Sequence, residues 1–281
     1  ERGRALGLVM FAAGIALLLV WLIAPWVAAE WGWRSALRYP PLAIAALGIM
    51  FYLVSRDRPS EVGLEDYEEI DDVSRDAETE AETSHTDGLA AYWHLMANWR
   101  FFLACQVKGL DNIVRYGIVS WAPVYYATVG GLDLKTMALA TFAYPLGYLC
   151  APLVGGFLSD RIFHGNRSIV IAIGSVLSGL AVMGMALSPA DSISIAVVLL
   201  ATVGFTANLS PMAALAVDLA GRQLAGTASG IFDAHGYVYG AIQASLFGWV
   251  AMSFENGWFW VFAVMAFTRV IGLIAIWRVR V

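Results

Sequence analysis

Eight stretches of mostly apolar residues punctuate the chain, at 5–28, 36–54, 101–127, 136–158, 168–188, 193–217, 225–252 and 258–277. Each is close to the ~20 residues that an α-helix needs to cross a bilayer core. The third, sixth and seventh carry enough polar side chains that hydropathy alone does not settle them. Most connections are short. The exception is 55–98, with the runs Glu65-Asp66-Tyr67-Glu68-Glu69 and Glu78-Thr79-Glu80-Ala81-Glu82, a composition that favours disorder. Within it, 89–98 has the pattern of an amphipathic helix lying at the membrane interface. This loop divides the spans into two and six. The pattern predicts an all-α integral membrane protein: residues 1–54 with two helices, an acidic loop over 55–98, and a six-helix half over 99–281. Pro145, Gly147 and Pro152 weaken the fourth span and permit bending. Gly226/Gly230 and Gly236/Gly240 are small-residue pairs suited to close helix packing.

Composition agrees with this layout. Of the residues, 59% are hydrophobic and 14% charged, against about 25% charged in an ordinary soluble domain. The net charge of −5 hides an asymmetry, because 55–98 holds 13 of the 22 acids and 3 of the 17 bases. A basic membrane body carries one acidic loop, and nothing points to nucleic acid binding. Arginines cluster on one side: at the N-terminus, in the 55–98 loop, in 159–167, in 218–224 and at the C-terminus. The positive-inside rule makes that side, with the C-terminus, cytoplasmic. Cys105 and Cys150 read as buried small hydrophobes. The chain starts at Glu1 rather than Met, directly at a helix entry, and reads as a fragment lacking its N-terminal part.

The third span contains Lys108, Asp111 and Arg115. An ionised side chain at the bilayer centre costs about 2.5–3.5 kcal/mol on the insertion scale, so the helical face that carries all three must look at protein or at a water-filled cavity. Lys108 and Asp111 can pair at i, i+3, or Lys108 can supply a second cation for a multiply charged anion. Arg115 suits an anion because its planar fork donates two parallel hydrogen bonds; a standing pair with Asp111 is the competing reading. The seventh span adds Asp233, His235, Tyr237 and Gln243. Asp233 is either a proton site or the partner of a cation such as Arg269 or Lys108, and His235 is expected to be packed and hydrogen-bonded. Asp218 is expected to pair with Arg222. No metal-ligand cluster, nucleophile triad or phosphate loop appears, so neither an enzyme nor a cofactor is expected.

Residues 155–167 read Gly-Gly-Phe-Leu-Ser-Asp-Arg-Ile-Phe-His-Gly-Asn-Arg. Gly156, Leu158, Asp160, Arg161, Gly165 and Arg167 resemble the signature of the major facilitator superfamily, in which a glycine lets paired helices approach and an Asp/Arg cluster makes and breaks as they rock. The segment 115–125, Arg-Tyr-Gly-Ile-Val-Ser-Trp-Ala-Pro-Val-Tyr, resembles the seventh helix of the organophosphate:phosphate antiporters. Glu1-Arg2-Gly3, Trp33-Arg34, Gly165-Asn166-Arg167 and Ala225-Gly226-Thr227-Ala228 with Gly236-Tyr237 resemble further parts of that family. The likeness makes the eight spans helices five to twelve of twelve.

The resemblance implies a secondary transporter of an organic anion, an organophosphate or sugar phosphate exchanged for phosphate by alternating access. Arg115 matches the family's phosphate-binding arginine of helix seven, and Tyr237 matches a tyrosine of helix eleven. Departures are Ala13 where the family has histidine, Asn112 where it has tyrosine, and Thr206 and Asn208 near another tyrosine. Arg115, Asn112, Tyr237, Lys108 and Asn208 are therefore the candidate substrate contacts, Asp233 and His235 the candidate proton-coupling residues, and Gly156, Asp160, Arg161 and Arg167 the gating motif. Alternatives are a proton-coupled symporter of a carboxylate or sugar acid, and a membrane sensor of the same fold that binds sugar phosphate without transporting it. The expected partners are the anion, phosphate or a proton as coupling ion, and the lipid bilayer, with the protein acting as a monomer in a bacterial inner membrane.

Overall fold

The computed structural model describes residues 2–55, 88–164, 166–209, 212–221 and 224–279, with the side chains of 2–11, 13, 153, 160, 208 and 213 excepted. The described residues form α-helices and no strand. They are α1 (Arg2–Trp31), α2 (Trp33–Val54), α3 (Gly88–Ala97), α4 (Trp99–Thr128), α5 (Leu134–Thr141), α6 (Ala143–Phe157), α7 (Arg167–Leu187), α8 (Ile193–Leu209), α9 (Met212–Ala220), α10 (Ala225–Ser253) and α11 (Gly257–Arg278). The eight expected spans correspond to α1, α2, α4, α5 with α6, α7, α8 with α9, α10 and α11. Among the described residues, five helical stretches are long and apolar enough by themselves to cross a membrane: 14–31, 33–54, 134–157, 167–187 and 257–278. The three that fall short are those whose polar residues weakened the sequence reading.

Two compact units form, Val27–Ala91 and a larger one of Glu1–Trp26 with Tyr92–Val281. In the smaller unit Gly32 links α1 to α2 at φ +80°, a left-handed backbone that suits glycine. No residue of α2 is buried. The acidic segment 56–87 lies outside the described residues.

In the larger unit, capping side chains start the helices where the sequence provides them. Asn98 Oδ1 accepts from the Arg100 N–H at 3.1 Å. Asp133 Oδ2 accepts from the N–H groups of Lys135 at 3.1 Å and Thr136 at 3.3 Å; the Thr136 hydroxyl, then these amides, hold its carboxyl below the usual range. The fourth span, expected as one helix, divides at Phe142. Pro145 lacks the N–H that would bond the Thr141 carbonyl, and its ring crowds that oxygen. A π-helical turn, Leu158–Ile162, follows α6, with the Phe163 N–H bonded to the Leu158 carbonyl at 2.9 Å.

Close packing between α6 and α8 depends on glycine. A Cβ at Gly204 would overlap the Tyr144 carbonyl, and one at Gly147 the Ala201 carbonyl. Near the π-turn, Gly155 has this role against Leu209, whereas Gly156 has nothing within 4 Å of its Cβ position. The close approach expected of Gly156 therefore falls one residue earlier, because Gly156 is turned outward. The helices α4 and α10 interlock similarly: Gly109 faces the Tyr239 ring, Gly236 faces Asn112, and Gly240 faces Tyr116.

Two apolar clusters cover opposite ends of the bundle. One contains Val114, Ile118, Tyr126, Met185, Leu200, Phe247, Phe262 and Met265. The other contains Phe101, Cys105, Ile171, Leu215, Phe232 and Ile276. Between them, near the midpoints of α4, α10 and α11, runs a polar layer: residues 108–112, 233–243 and Arg269. Cys105 is buried as expected, but Cys150 is exposed; both are free thiols.

Candidate functional site

The polar layer is assembled by α4, whose three mid-helix charges, Lys108, Asp111 and Arg115, each take a different partner. Asp111 receives the Arg269 guanidinium of α11, Nη1 donating to Oδ1, and Nη2 also reaches the Asp111 carbonyl at 3.4 Å. Both residues are buried, at 6% and 4% exposure. Lys108 Nζ lies 3.8 Å from Asp233 Oδ1 on α10. The i, i+3 pair of Lys108 with Asp111 does not form. At 100° per residue these positions differ by about 60° around the helix axis, enough for one to address α10 and the other α11.

Arg115, one turn beyond Asp111, is placed differently. Its Nη2 donates to the Tyr148 hydroxyl of α6 at 2.9 Å. The guanidinium carbon lies 5.1 Å from the Tyr148 ring centre and 5.5 Å from that of Tyr116. Among the described residues no carboxylate comes within 4 Å of this guanidinium. Arg115 is thus held by aromatic faces and a phenol, and among the described residues the standing Arg115–Asp111 pair does not form, Arg269 taking that carboxylate.

The remaining candidates surround it unevenly. Asn112 is buried against Gly236, and its Oδ1 has no hydrogen-bond partner among the described residues. Tyr237 is 62% exposed, with its ring 6.1 Å from Tyr116. Asp233 is 63% exposed on the same face of α10. An ionised group at mid-membrane is not tolerated against lipid, so this face looks toward protein or water. His235 points elsewhere, its Nδ1 donating to the Ile231 carbonyl at 2.9 Å; it is a packed residue and does not join Asp233. The Asn208 side chain lies outside the described residues.

At the other end of α6 the motif expected to gate is described in part. Arg161 lies over the Phe157 ring at 5.9 Å. Arg167 Nε pairs with Asp218 at 3.1 Å, so Asp218 reaches across to α7, where a local pair with Arg222 was expected. Asp160, as a side chain, and Gly165 and Arg222 altogether lie outside the described residues.

Sequence reasoning missed the aromatic wall beside Arg115. Tyr148 and Tyr144 stand four residues apart on α6, ring centres 6.4 Å apart, and Trp21 of α1 stacks on Tyr144 at 5.6 Å and 20°. The i, i+4 spacing of two tyrosines in an apolar span was the available signal. A further interhelical link, Tyr239 Oη to Gln106 Oε1 at 2.5 Å, fixes α10 on α4.

The chain is 28% identical over 254 residues to the glycerol-3-phosphate transporter of Haemophilus influenzae, covering 83% of this chain and 52% of that protein. It is 26% identical over 232 residues to the glycerol-3-phosphate transporter of Bacillus subtilis, covering 81% and 52%. It is 29% identical over 279 residues to the membrane sensor protein UhpC of Salmonella typhimurium, covering 95% and 60%. The chain thus spans about half to three-fifths of the length of these relatives. Its residues 1–244 and 113–281 match the Major Facilitator Superfamily model, and with its all-helical bundle and mid-membrane polar layer the chain belongs to that superfamily of integral membrane proteins.

Proposed function

We propose that this chain is part of a secondary transporter, not an enzyme, that carries an organic anion by alternating access, with an organophosphate or sugar phosphate exchanged for phosphate. The observation that carries the reading is Arg115: a guanidinium at the middle of α4, oriented by Tyr148 and Tyr116, with no carboxylate within 4 Å among the described residues. Arg269 has Asp111 in contact and Lys108 has Asp233 within 3.8 Å, so Arg115 is the cation of this layer left to hold an anionic head. Asn112, Tyr237 and Asn208 contact the rest of the cargo, and Lys108 adds a second cation at the edge of the site. Residues 1–54 supply two helices of one half and 99–281 the six of the other, joined by the acidic loop. The protein acts as a monomer in a bacterial inner membrane with its C-terminus cytoplasmic.

The test is Arg115→Lys in the full-length protein. A point charge cannot reproduce the fork, and a hydrogen bond to a charged group contributes about 1.5–3 kcal/mol, so binding of glycerol 3-phosphate should weaken roughly 10- to 100-fold. Wild-type affinity in that variant refutes the anchor.

A second reading is a sensor of the same fold, supported by the 95% coverage of this chain in the match to UhpC. Uptake into proteoliposomes separates the two: binding without flux favours the sensor. Proton coupling through Asp233 is supported by the exposure of that carboxylate and its loose contact with Lys108. A carboxylate or sugar-acid cargo belongs to the same coupled alternative.

A further inference from the structure

Tyr144 of α6 is completely buried, yet its hydroxyl has no hydrogen-bond partner among the described residues. Leaving a hydroxyl dry and unpaired costs about 1–3 kcal/mol. A phenylalanine of the same shape would avoid that cost, so packing does not account for the oxygen. The ring stacks with Trp21 and with Tyr148, and its backbone is pressed against Gly204 of α8. Tyr148 is the residue that accepts from Arg115, and the Arg115 guanidinium lies within electrostatic reach of the Tyr144 phenol.

We propose that the Tyr144 hydroxyl is a second hydrogen-bond donor to the tetrahedral oxyanion held by Arg115, and that Trp21 is its cover. The inference rests on the anion site proposed above. In the state described here Trp21 closes over the ring, and the hydroxyl waits unsatisfied. Movement of α1 along α6, at the seam where Leu149 packs onto Gly14, uncovers it. Arg115 supplies charge and a planar fork; Tyr144 supplies one neutral O–H aimed from the α6 side. A tetrahedral oxyanion has enough acceptor oxygens for both at once, and occupancy then removes the penalty of the buried orphan.

This reading makes two measurements move in opposite directions. Binding of inorganic phosphate and of glycerol 3-phosphate is titrated calorimetrically to the full-length protein, wild type, Tyr144→Phe and Arg115→Gln, with melting temperatures taken in the absence of ligand. Tyr144→Phe is expected to weaken both probes about tenfold or more, as loss of a bond to a charged acceptor does, while melting at or above the wild-type temperature. Wild-type affinity in Tyr144→Phe overturns the proposal, and so does weaker binding accompanied by a lower melting temperature, which marks a structural role. Arg115→Gln separates the two ideas. Retained binding there refutes the anion site itself; lost binding there, with Tyr144→Phe unaffected, refutes the Tyr144 donor alone.

Discussion

Replacing Asp111 with leucine should damage this protein more than any surface change, and the damage should be reversible by a second substitution. Asp111 and Arg269 are 6% and 4% exposed and bridge α4 to α11 through two contacts. Arg269 Nε already lacks a partner, so Asp111 provides the compensation for the buried cation. Removing one member of a buried pair costs about 3–5 kcal/mol because the other charge is stranded. At roughly 2 °C per kcal/mol for a chain of this size, Asp111→Leu should melt roughly 6–10 °C below wild type. The double variant Asp111→Leu/Arg269→Met strands nothing and replaces the pair with apolar volume, a change that is often neutral or stabilising. It should therefore recover most of the loss. The assay is a double-mutant cycle on detergent-solubilised protein, with melting followed by tryptophan fluorescence. If Asp111→Leu and the double variant melt together, or the single variant costs under about 1 kcal/mol, the pair is not the brace between α4 and α11 and the reasoning fails.

Two further outcomes follow from the same geometry. Gly204→Ala places a methyl group onto the Tyr144 carbonyl, and overpacking of this kind costs about 1–3 kcal/mol; a melting temperature equal to wild type contradicts the backbone contact between α6 and α8. Asp233→Asn removes the carboxylate 3.8 Å from Lys108, so if Asp233 carries the coupling proton, uptake driven by a pH gradient should lose its dependence on that gradient; an unchanged dependence excludes it.

Much of the helix plan was legible, since each span is marked by its own run of apolar residues. The breaks were less so. Pro145 was visible as a weak point, but the division at Phe142 follows from the carbonyl that its missing N–H leaves behind. The paired glycines were legible only in part: Gly236 and Gly240 pack against α4, whereas Gly226 and Gly230 have nothing within 4 Å of a Cβ position, and only the rotation of α6 against α8 selects Gly155 over Gly156. Arg115 stood out because a charge in an apolar span requires a reason. Tyr144 and Tyr148 did not stand out, because an aromatic residue in such a span needs none, and their relevance appears only when α6 is laid beside α4.

The sequence by itself determined that this is a helical membrane protein, where its polar layer lies along each helix, and that Arg115 sits among ionisable neighbours. These are local properties, fixed by run length and by the cost of charge in an apolar span. The tertiary structure decided which charges cancel. Lys108 goes to Asp233, Asp111 to Arg269, and Arg115 to a phenol. The physical reason is angular: residues a turn apart on α4 face different neighbouring helices, and a helix's rotation within the bundle is set by packing that no single segment encodes.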